Sequence, residues 1–400
     1  MDDLITIAGQ FKSEGQVLDV REYGRGNVND TFLVTLDCDG EKHFILQRIN
    51  THVFHHPERI MLNMRTLTEH VRERLKRKAV SSSRRWEVPR VFQAKNGQDY
   101  FVDARGSFWR AMSFISGSRC YETVQSIEHA REAGYALGRF HDLLSDLNPQ
   151  KLHDTLEGFH ITPQYLWHYD EVLTGKEAQA ASAQASNGTQ SYRARPSHAR
   201  SYCARFVEER RGWASVLEDA KRQGKLCLRP IHGDPKINNF MIGERTGQAI
   251  SIVDLDTVKP GLIHYDIGDC LRSCCNPVGE ETTCVKDVRF DADLCRAILQ
   301  GYLAEARSFL TEADYAYMYD CVRLIAFELG LRFFTDYLEG NVYFKVKHAE
   351  HNLQRALVQF RLTESIESQE ADIRAIIDDL KRQVTRRGLS QMNTEATEGR

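Results

Sequence analysis

Residues 229–242 read Arg-Pro-Ile-His-Gly-Asp-Pro-Lys-Ile-Asn-Asn-Phe-Met-Ile, so that Asp234 lies five positions before Asn239. A polar turn, an apolar strand and the triplet Asp254-Leu-Asp256 follow in that order. Phosphoryl transfer requires such a layout: one carboxylate for the acceptor proton, and an amide oxygen plus a carboxylate for magnesium. Each short motif alone is a common turn, but a chance occurrence of all of them in order is improbable.

Each polar residue of this stretch has a predicted role. Asp234 is the predicted catalytic base, which contacts the acceptor hydroxyl. Lys236 is predicted to neutralise the transferred phosphoryl group, because charge and position stabilise that transition state. The predicted Mg²⁺ ligands are Asn239, Asp254 and Asp256, the last supporting a second ion or its waters.

The N-terminal part has the alternation of strands over residues 17–21, 31–36 and 42–49. The glycine-rich turn between the first two could present backbone N–H groups to phosphates. A Gly-x-Gly between strands is more often only a hairpin, so the downstream motif gives this turn its weight. Its predicted nucleotide-binding residues are Gly24, Gly26, Asn29 and Thr31.

The third strand lacks the lysine that contacts nucleotide phosphates in kinases. Alternation allows either Gln47 or Arg48 to take that place. Further strands are predicted over 88–92, 100–103 and 108–114, and a crossover between lobes over 114–117, where Phe114 and Ser116 could bind adenine through the backbone.

Helical patterns dominate the rest of the chain. The predicted helices cover 57–78, 126–147, 202–223, 291–309, 312–339, 344–364 and 370–384. Residues 174–201, rich in Ala, Gln, Ser, Asn and Gly, predict a mobile surface insertion.

Two features leave alternatives open. Glu328, Arg332 and Asp336 recur every four residues, so they form either an exposed salt-bridge ladder or a polar wall over a ligand with several hydroxyls. His160 is either a substrate contact or a helix-entry residue.

Composition excludes several functional classes. The 400 residues are 42% hydrophobic and 27% charged with a net charge of −3, which is ordinary for a two-lobed soluble protein and does not favour nucleic-acid binding. No stretch approaches the roughly 20 apolar residues of a membrane span, and the N-terminus does not resemble a secretory signal. The ten scattered cysteines predict reduced thiols in a cytoplasmic enzyme.

The motif His-Gly-Asp-x-Lys-x-x-Asn with its following Asp resembles the aminoglycoside phosphotransferase and choline kinase superfamily. Four further blocks resemble the N-acetylhexosamine 1-kinase family. They are Gly24 to Thr31, the strand at 45–50, Lys-Ile-Asn-Asn at 236–239 followed by Asp-Leu-Asp-Thr-Val-x-Pro-Gly at 254–261, and Arg332 to Phe344. The similarity covers nearly the whole chain except 174–201 and the tail; where that family has His before Asn-Asp-Thr, this chain has Val28.

This resemblance implies an ATP- and Mg²⁺-dependent sugar 1-kinase that phosphorylates the anomeric hydroxyl of N-acetylglucosamine or N-acetylgalactosamine. It implies that Arg332 and Tyr343 hold sugar hydroxyls, with Asn29 and His160 near the same pocket. Asp336, from the polar wall, is a further predicted substrate contact. The alternatives are a kinase for an aminoglycoside, choline, homoserine or a plain hexose, and a catalytically silent binding protein.

The expected fold is therefore α+β and two-lobed, like that of protein kinases. Residues 1–116 form a small nucleotide-binding lobe with an antiparallel sheet, and 117–384 form a larger, mainly helical catalytic and sugar-binding lobe. A disordered tail is expected at 385–400, and the enzyme is expected to be a monomer.

Overall fold

The computed structural model describes residues 2–11, 13, 15–24, 28–78, 84–186 and 198–383. The chain forms two compact units, which are described separately. The first contains Met1–Cys120, Arg139–Glu157 and Leu228–Ile263, and the second contains Tyr121–Gly138, Gly158–Cys227 and the chain from His264. The predicted lobe boundary at residue 116 remains a prediction, and the predicted tail at 385–400 lies outside the described residues.

The strands are β1 Gln16–Glu22, β2 Asp30–Asp37, β3 His43–Ile49, β4 Val91–Phe92, β5 Phe101–Val102, β6 Phe108–Ser113, β7 Ser118–Arg119, β8 Arg229–Ile231, β9 Phe240–Gly243, β10 Ala249–Ile252 and β11 Lys259–Gly261. The helices are α1 Asp2–Ala8, α2 Pro57–Lys78, α3 Ile127–Leu144, α4 Thr162–Ser186, α5 His198–Arg210, α6 Val216–Arg222, α7 Ile263–Cys274, α8 Ala292–Ala306, α9 Glu312–Ala316, α10 Met318–Glu339, α11 His351–Ser368 and α12 over 370–383.

The main sheet of the first unit is antiparallel, in the order β1-β2-β3-β6-β4, with β5 paired to β6. Its apolar core includes Val34, Phe44, Leu46 and Ala111, all buried. In the registers of these strands Thr31 lies opposite Gln47, and Gln47 opposite Arg110. The sheet therefore lines up these three polar residues on neighbouring strands.

Two small antiparallel pairings carry the central motif. β8 pairs with β11, and β9 pairs with both β7 and β10. Phe240 pairs with Ile252, and the Val253 N–H donates to the Asn239 carbonyl at 2.9 Å. This hairpin brings the backbone of Asn239 beside the residue that precedes Asp254.

Sequence patterns located most elements. The helix predicted over 57–78 is confirmed, with Pro57 in its first turn. Helix α8 begins where the Asp291 side chain accepts the N–H groups of Asp293 and Leu294, both at 3.1 Å. Helix α10 ends at Glu339 and is capped by Gly340, whose φ of 101° suits a residue without Cβ.

Several predicted boundaries were wrong. The helix predicted over 312–339 is interrupted at Tyr317, and that predicted over 202–223 is interrupted by a 3₁₀ turn at 211–213. The helix predicted from residue 344 begins at His351, because the backbone N–H groups of 342–344 bind the Asp336 carboxylate instead.

The predicted insertion at 174–201 is helical at both ends. Helix α4 continues to Ser186 and α5 begins at His198. Alanine and glutamine have high helix propensity, which outweighs the shortage of large apolar side chains here. Residues 187–197 lie outside the described part of the chain.

Candidate functional site

The loop that carries Asp234 is fixed by the backbone on either side. Gly233 has a φ of 86°, and a Cβ there would lie 2.6 Å from the Thr257 carbonyl oxygen, so glycine is required. His232 is buried, and its Nε2 lies 2.9 Å from the Val253 carbonyl oxygen. Its Nδ1 accepts the Asp234 N–H at 3.2 Å. The sequence motif contained His232, but reasoning from the sequence gave it no role.

The side chain of Asn239 is oriented by the same loop. Its Nδ2 donates to the Asp234 carbonyl oxygen at 2.7 Å. Because the nitrogen is used in this way, the ligating atom available to a cation is Oδ1. The predicted catalytic and metal-binding positions are thus held together by one hydrogen bond.

Lys236 and Asp234 form an ion pair, with Nζ and Oδ2 2.8 Å apart. Both side chains are partly exposed. The Lys236 ammonium therefore lies directly beside the predicted catalytic carboxylate.

Asp254 has an unusual backbone. Its φ and ψ are 67° and 58°, a left-handed conformation that is uncommon for residues other than glycine. Such strain persists only where surrounding contacts over-determine it, and it concentrates at functional sites. This outlier supports a functional role for Asp254.

The pKa of Asp254 is raised to about 6, first by the surrounding protein atoms and second by the Asp256 carboxylate, while Lys236 acts in the opposite direction. Because the Asp254 side chain is exposed, water weakens the first cause. The neighbouring carboxylates of Asp256 and Asp234 remain as causes of the raised pKa. A cation would relieve this repulsion.

The donor set fits magnesium. Asn239 and Asp254 supply oxygen atoms, which Mg²⁺ prefers, and Mg²⁺ commonly uses one or two carboxylates together with phosphates and waters. No group of three or more His, Cys, Asp or Glu side chains among the described residues is arranged to hold a metal. A magnesium ion shared with a phosphate ligand does not need such a group.

Asp256, the third predicted Mg²⁺ ligand, is buried and already engaged. Its Oδ1 lies 2.5 Å from Arg110 Nη1, and its Oδ2 accepts Asn29 Nδ2 at 2.6 Å. Asn29, predicted to bind nucleotide, thus uses its side-chain nitrogen within the protein. Both metal and nucleotide roles remain predictions.

Gln47 and Arg48, the two candidates for the phosphate contact on β3, have different partners within the protein, and a contact of either with phosphates remains a prediction. Gln47 donates to Thr31 Oγ1 at 2.9 Å and accepts two bonds from Arg110, at 2.6 and 2.9 Å. Arg48 is half exposed and forms an ion pair with Asp30. The buried cation on this part of the sheet is Arg110, which sequence reasoning missed. The sequence does contain an indication of its burial, because alternation places Arg110 on the same face of β6 as the apolar Phe108 and Met112.

The remaining predicted nucleotide contacts lie at the ends of β1 and β6. Gly24 has a φ of 78°, and Gly26 lies outside the described residues. The Phe114 ring packs edge-on against Tyr23, with ring centroids 5.8 Å apart. The Ser116 carbonyl oxygen accepts Arg85 Nη1 at 2.9 Å. Their contacts with a nucleotide remain predictions.

In the second unit, Asp336 is buried and anchors the loop after α10. It accepts the N–H groups of Val342 and Tyr343 at 2.8 Å, Phe344 at 3.0 Å and Asn352 Nδ2 at 2.7 Å. With Glu328 also buried, the alternative of an exposed salt-bridge ladder was wrong. These bonds fix the backbone of Tyr343; a substrate contact by Asp336 remains a prediction.

Arg332 lies among aromatic rings. Its Cζ is 5.0 Å from the ring centroid of Phe159, 5.1 Å from Tyr165, 5.8 Å from Tyr343 and 5.4 Å from Phe344. Cation–π attraction holds a guanidinium in such a setting. The structure thus brings together Arg332 and Tyr343, the two predicted sugar contacts.

His160 is buried next to Glu328, with Nδ1 and Oε1 2.9 Å apart, and its ring stacks on Tyr265. Thr162 Oγ1 donates to the other Glu328 oxygen at 2.6 Å. The φ of His160 is 66°, a second left-handed non-glycine residue, at the entry to α4. The helix-entry position is therefore observed, and a substrate contact remains a prediction.

Comparison with known proteins assigns the chain to a family. A family model described as "Phosphotransferase enzyme family" matches residues 19–309. The chain belongs to the phosphotransferase enzyme family. The match spans Asp234, Asn239 and Asp254, whose geometry is described above.

Solved structures share the fold. A microcompartment-associated aminopropanol kinase is 17% identical, with 93% of this chain and 98% of that chain covered and a TM-score of 0.53. An aminoglycoside phosphotransferase from Alicyclobacillus acidocaldarius is 14% identical, with 95% and 96% covered and a TM-score of 0.52. A spectinomycin phosphotransferase in complex with ADP and spectinomycin is 11% identical, with 92% and 98% covered and a TM-score of 0.51.

These similarities confirm the α+β, kinase-like fold class. Among the described residues no helix combines the length and apolar character needed to cross a bilayer.

Proposed function

We propose that this phosphotransferase uses ATP and Mg²⁺ to phosphorylate the anomeric hydroxyl of N-acetylglucosamine or N-acetylgalactosamine. Asp234 acts as the base, Lys236 offsets phosphoryl charge, and Asn239 and Asp254 hold Mg²⁺. The nucleotide binds along the turn after β1 and the crossover at 114–117. The enzyme acts as a cytoplasmic monomer.

The single observation that carries the choice of acceptor is the setting of Arg332. Recognition of a quaternary or protonated amine favours an aromatic cage that is available to the ligand. Here the protein's own guanidinium lies against four aromatic rings. A cationic acceptor would meet a like charge, whereas a neutral sugar offers oxygen atoms to the guanidinium N–H groups.

The acid–base chemistry agrees with this choice. An anomeric hydroxyl is more acidic than an ordinary alcohol, so a carboxylate serves as its base without a large pKa shift. A sugar also presents many hydroxyls, and polar groups built to pair with them reject analogues that lack them.

The alternative is a kinase for another small hydroxyl compound. The solved structures compared above include proteins that act on an aminopropanol and on spectinomycin. Their identities of 17% and 11% support a common fold and leave the acceptor open.

A coupled ADP-release assay tests the proposal. The acceptors are N-acetylglucosamine, N-acetylgalactosamine, plain hexoses, homoserine, choline and an aminoglycoside. Turnover is expected with the N-acetylhexosamines and is expected to disappear with their methyl glycosides, in which the anomeric oxygen is blocked. Turnover confined to an amine acceptor would overturn the sugar assignment and leave the kinase assignment intact.

A further inference from the structure

A buried polar cluster in the first unit consists of Asn29, Gln47, Arg110 and Asp256. Arg110 is 1% exposed and Asp256 is 2% exposed, so this is a charge pair inside the protein. Gln47 and Arg110 come from paired strands, β3 and β6, whereas Asp256 comes from the 3₁₀ turn Leu255–Thr257.

Arg110 bridges the sheet to this turn. Its Nε and Nη2 donate to Gln47 Oε1 at 2.9 and 2.6 Å, while Nη1 lies 2.5 Å from Asp256 Oδ1. Nη1 also contacts the Met64 sulfur of α2 at 3.0 Å. The guanidinium thereby connects two strands, a helix and the turn that follows Asp254.

Asn29 completes the connection. Its Nδ2 donates to Asp256 Oδ2 at 2.6 Å, and its Oδ1 accepts the Asn50 N–H at 2.9 Å. Asn29 ends the glycine-rich turn, and Asp256 lies two residues after Asp254. The backbone of Asp256 is also held in place, since Thr155 Oγ1 donates to the Asp256 carbonyl oxygen at 2.7 Å.

Stability alone does not account for this cluster. Removing an arginine and an aspartate from water carries a large desolvation penalty, and apolar replacements of similar volume are often neutral or stabilising. Burial of such a pair is better explained by the geometry that it imposes. The residue that needs such support is the strained Asp254, with its φ of 67°.

We propose that Arg110 is a positioning residue, which through Asp256 and Asn29 holds the metal-binding Asp254 and the start of β2 in one preformed arrangement. This inference rests on the proposed use of a nucleotide with Mg²⁺. Asp256 in this role orients the site and is not itself a metal ligand.

The two roles for Asp256 predict opposite effects of the substitution Arg110→Met. If Arg110 positions the loop, its loss weakens the binding of Mg²⁺ with the nucleotide. If Asp256 were itself a ligand, loss of Arg110 would release its carboxylate and leave Mg²⁺ binding unchanged or stronger.

The experiment measures the affinity of the intact protein for ADP by calorimetry, once with Mg²⁺ and once with EDTA. The ratio of the two dissociation constants reports the contribution of Mg²⁺. Arg110→Met is expected to reduce this ratio about 10–100-fold, the usual effect of losing a residue that orients a metal ligand. An unchanged or larger ratio overturns the proposal.

A matched control is Arg65→Met. Arg65 pairs with Asp99 in the same unit and contacts neither Asp256 nor Asn29 in the bonds observed. In Arg65→Met, the ratio of the ADP dissociation constants with EDTA and with Mg²⁺ is expected to equal that of the wild type. An equal loss in Arg65→Met would show a general effect of losing an Arg–Asp pair and would overturn the proposal.

Two further variants keep the test decisive. Arg110→Met/Asp256→Leu removes both charges. If this double variant restores the ratio of dissociation constants to the wild-type value, the reduced ratio in Arg110→Met comes from an unpaired buried charge, and the proposal is overturned.

If Arg110→Met does not fold, judged by circular dichroism, Asn29→Ala replaces it. A reduced ratio in Asn29→Ala supports the proposal, and an unchanged ratio overturns it. Failure of the wild type to bind ADP would overturn the proposed function as well.

Discussion

Asp234 is the residue on which the proposed chemistry depends. Its backbone is fixed by His232 and its carbonyl by Asn239, so a change of carboxylate to amide should leave the loop in place. Asp234→Asn is therefore expected to lower kcat by about 10²–10⁴-fold, the usual contribution of a general base. ADP affinity should remain near that of the wild type.

The control for this variant is Asp37→Asn, at an exposed aspartate at the end of β2. It should change neither kcat nor ADP affinity. Substantial residual turnover in Asp234→Asn would contradict the assigned base.

Asp254 gives the protein a pH dependence. Its pKa is raised towards about 6, so the carboxylate takes up a proton at a higher pH than an ordinary aspartate does. Because protons compete with Mg²⁺ for this group, the Mg²⁺-dependent part of ADP affinity is expected to fall as the pH drops below about 6. The fall should be absent in Asp254→Asn, and calorimetry between pH 5 and 8 measures it.

Arg332 is expected to act on the acceptor side. Its guanidinium is stacked among aromatic rings, so Arg332→Met should keep the apolar packing of the stem and lose the donors. Loss of hydrogen bonds from a charged group should raise the sugar KM about 10–100-fold. The ATP KM should stay unchanged.

Arg374→Met is the matched control in the same unit, because Arg374 also lies over a tyrosine ring, that of Tyr319, at 4.4 Å. Both KM values should stay at the wild-type level in this variant. Equal effects of Arg332→Met on the two substrates would argue against a role in acceptor binding.

At the scale of elements, helices α3 and α8 approach each other through glycines. A Cβ on Gly134 would lie 1.9 Å from the Ile298 carbonyl oxygen, and one on Gly301 would lie 2.0 Å from that of Arg131. These contacts involve backbone, which cannot move aside as a flexible side chain can. Gly134→Ala is therefore expected to destabilise the protein by roughly 1–3 kcal/mol.

Gly175→Ala tests the same substitution where space is open. Gly175 lies within α4, and a Cβ there has no atom within 4 Å. Alanine should stabilise this helix by about 0.5–1 kcal/mol. Urea unfolding of both variants measures the difference, and equal changes in the two would contradict close packing of α3 on α8.

At the scale of the whole molecule, we expect the metal to serve the reaction. Asn239 and Asp254 would share Mg²⁺ with the phosphates of a bound nucleotide, so the nucleotide-free protein holds little of this ion to lose. Incubation with EDTA is expected to abolish turnover and to leave the unfolding temperature of the nucleotide-free protein unchanged. Turnover should return when Mg²⁺ is added in excess of EDTA. A drop in the unfolding temperature would indicate a structural metal instead.

The sequence by itself determined the reaction class and the types of most elements. The spacing of Asp234, Asn239 and Asp254 predicted phosphoryl transfer, and the family comparison agrees. These signals are local, since they depend on residues a few positions apart or on the alternation of a strand. The helix α2 was predicted to its terminal residues for the same reason.

Only the tertiary structure decided which polar side chains pair inside the protein. Asn29 and Asp256 are separated by 227 positions, and Asp336 anchors a loop that sequence periodicity assigned to a helix. Arg110 received no role from the sequence, although alternation places it on the same face of β6 as Phe108 and Met112. The fold buries it, since Gln47 and Asp256 supply the partners that make a buried guanidinium stable, and no pattern in sequence reports such distant partners.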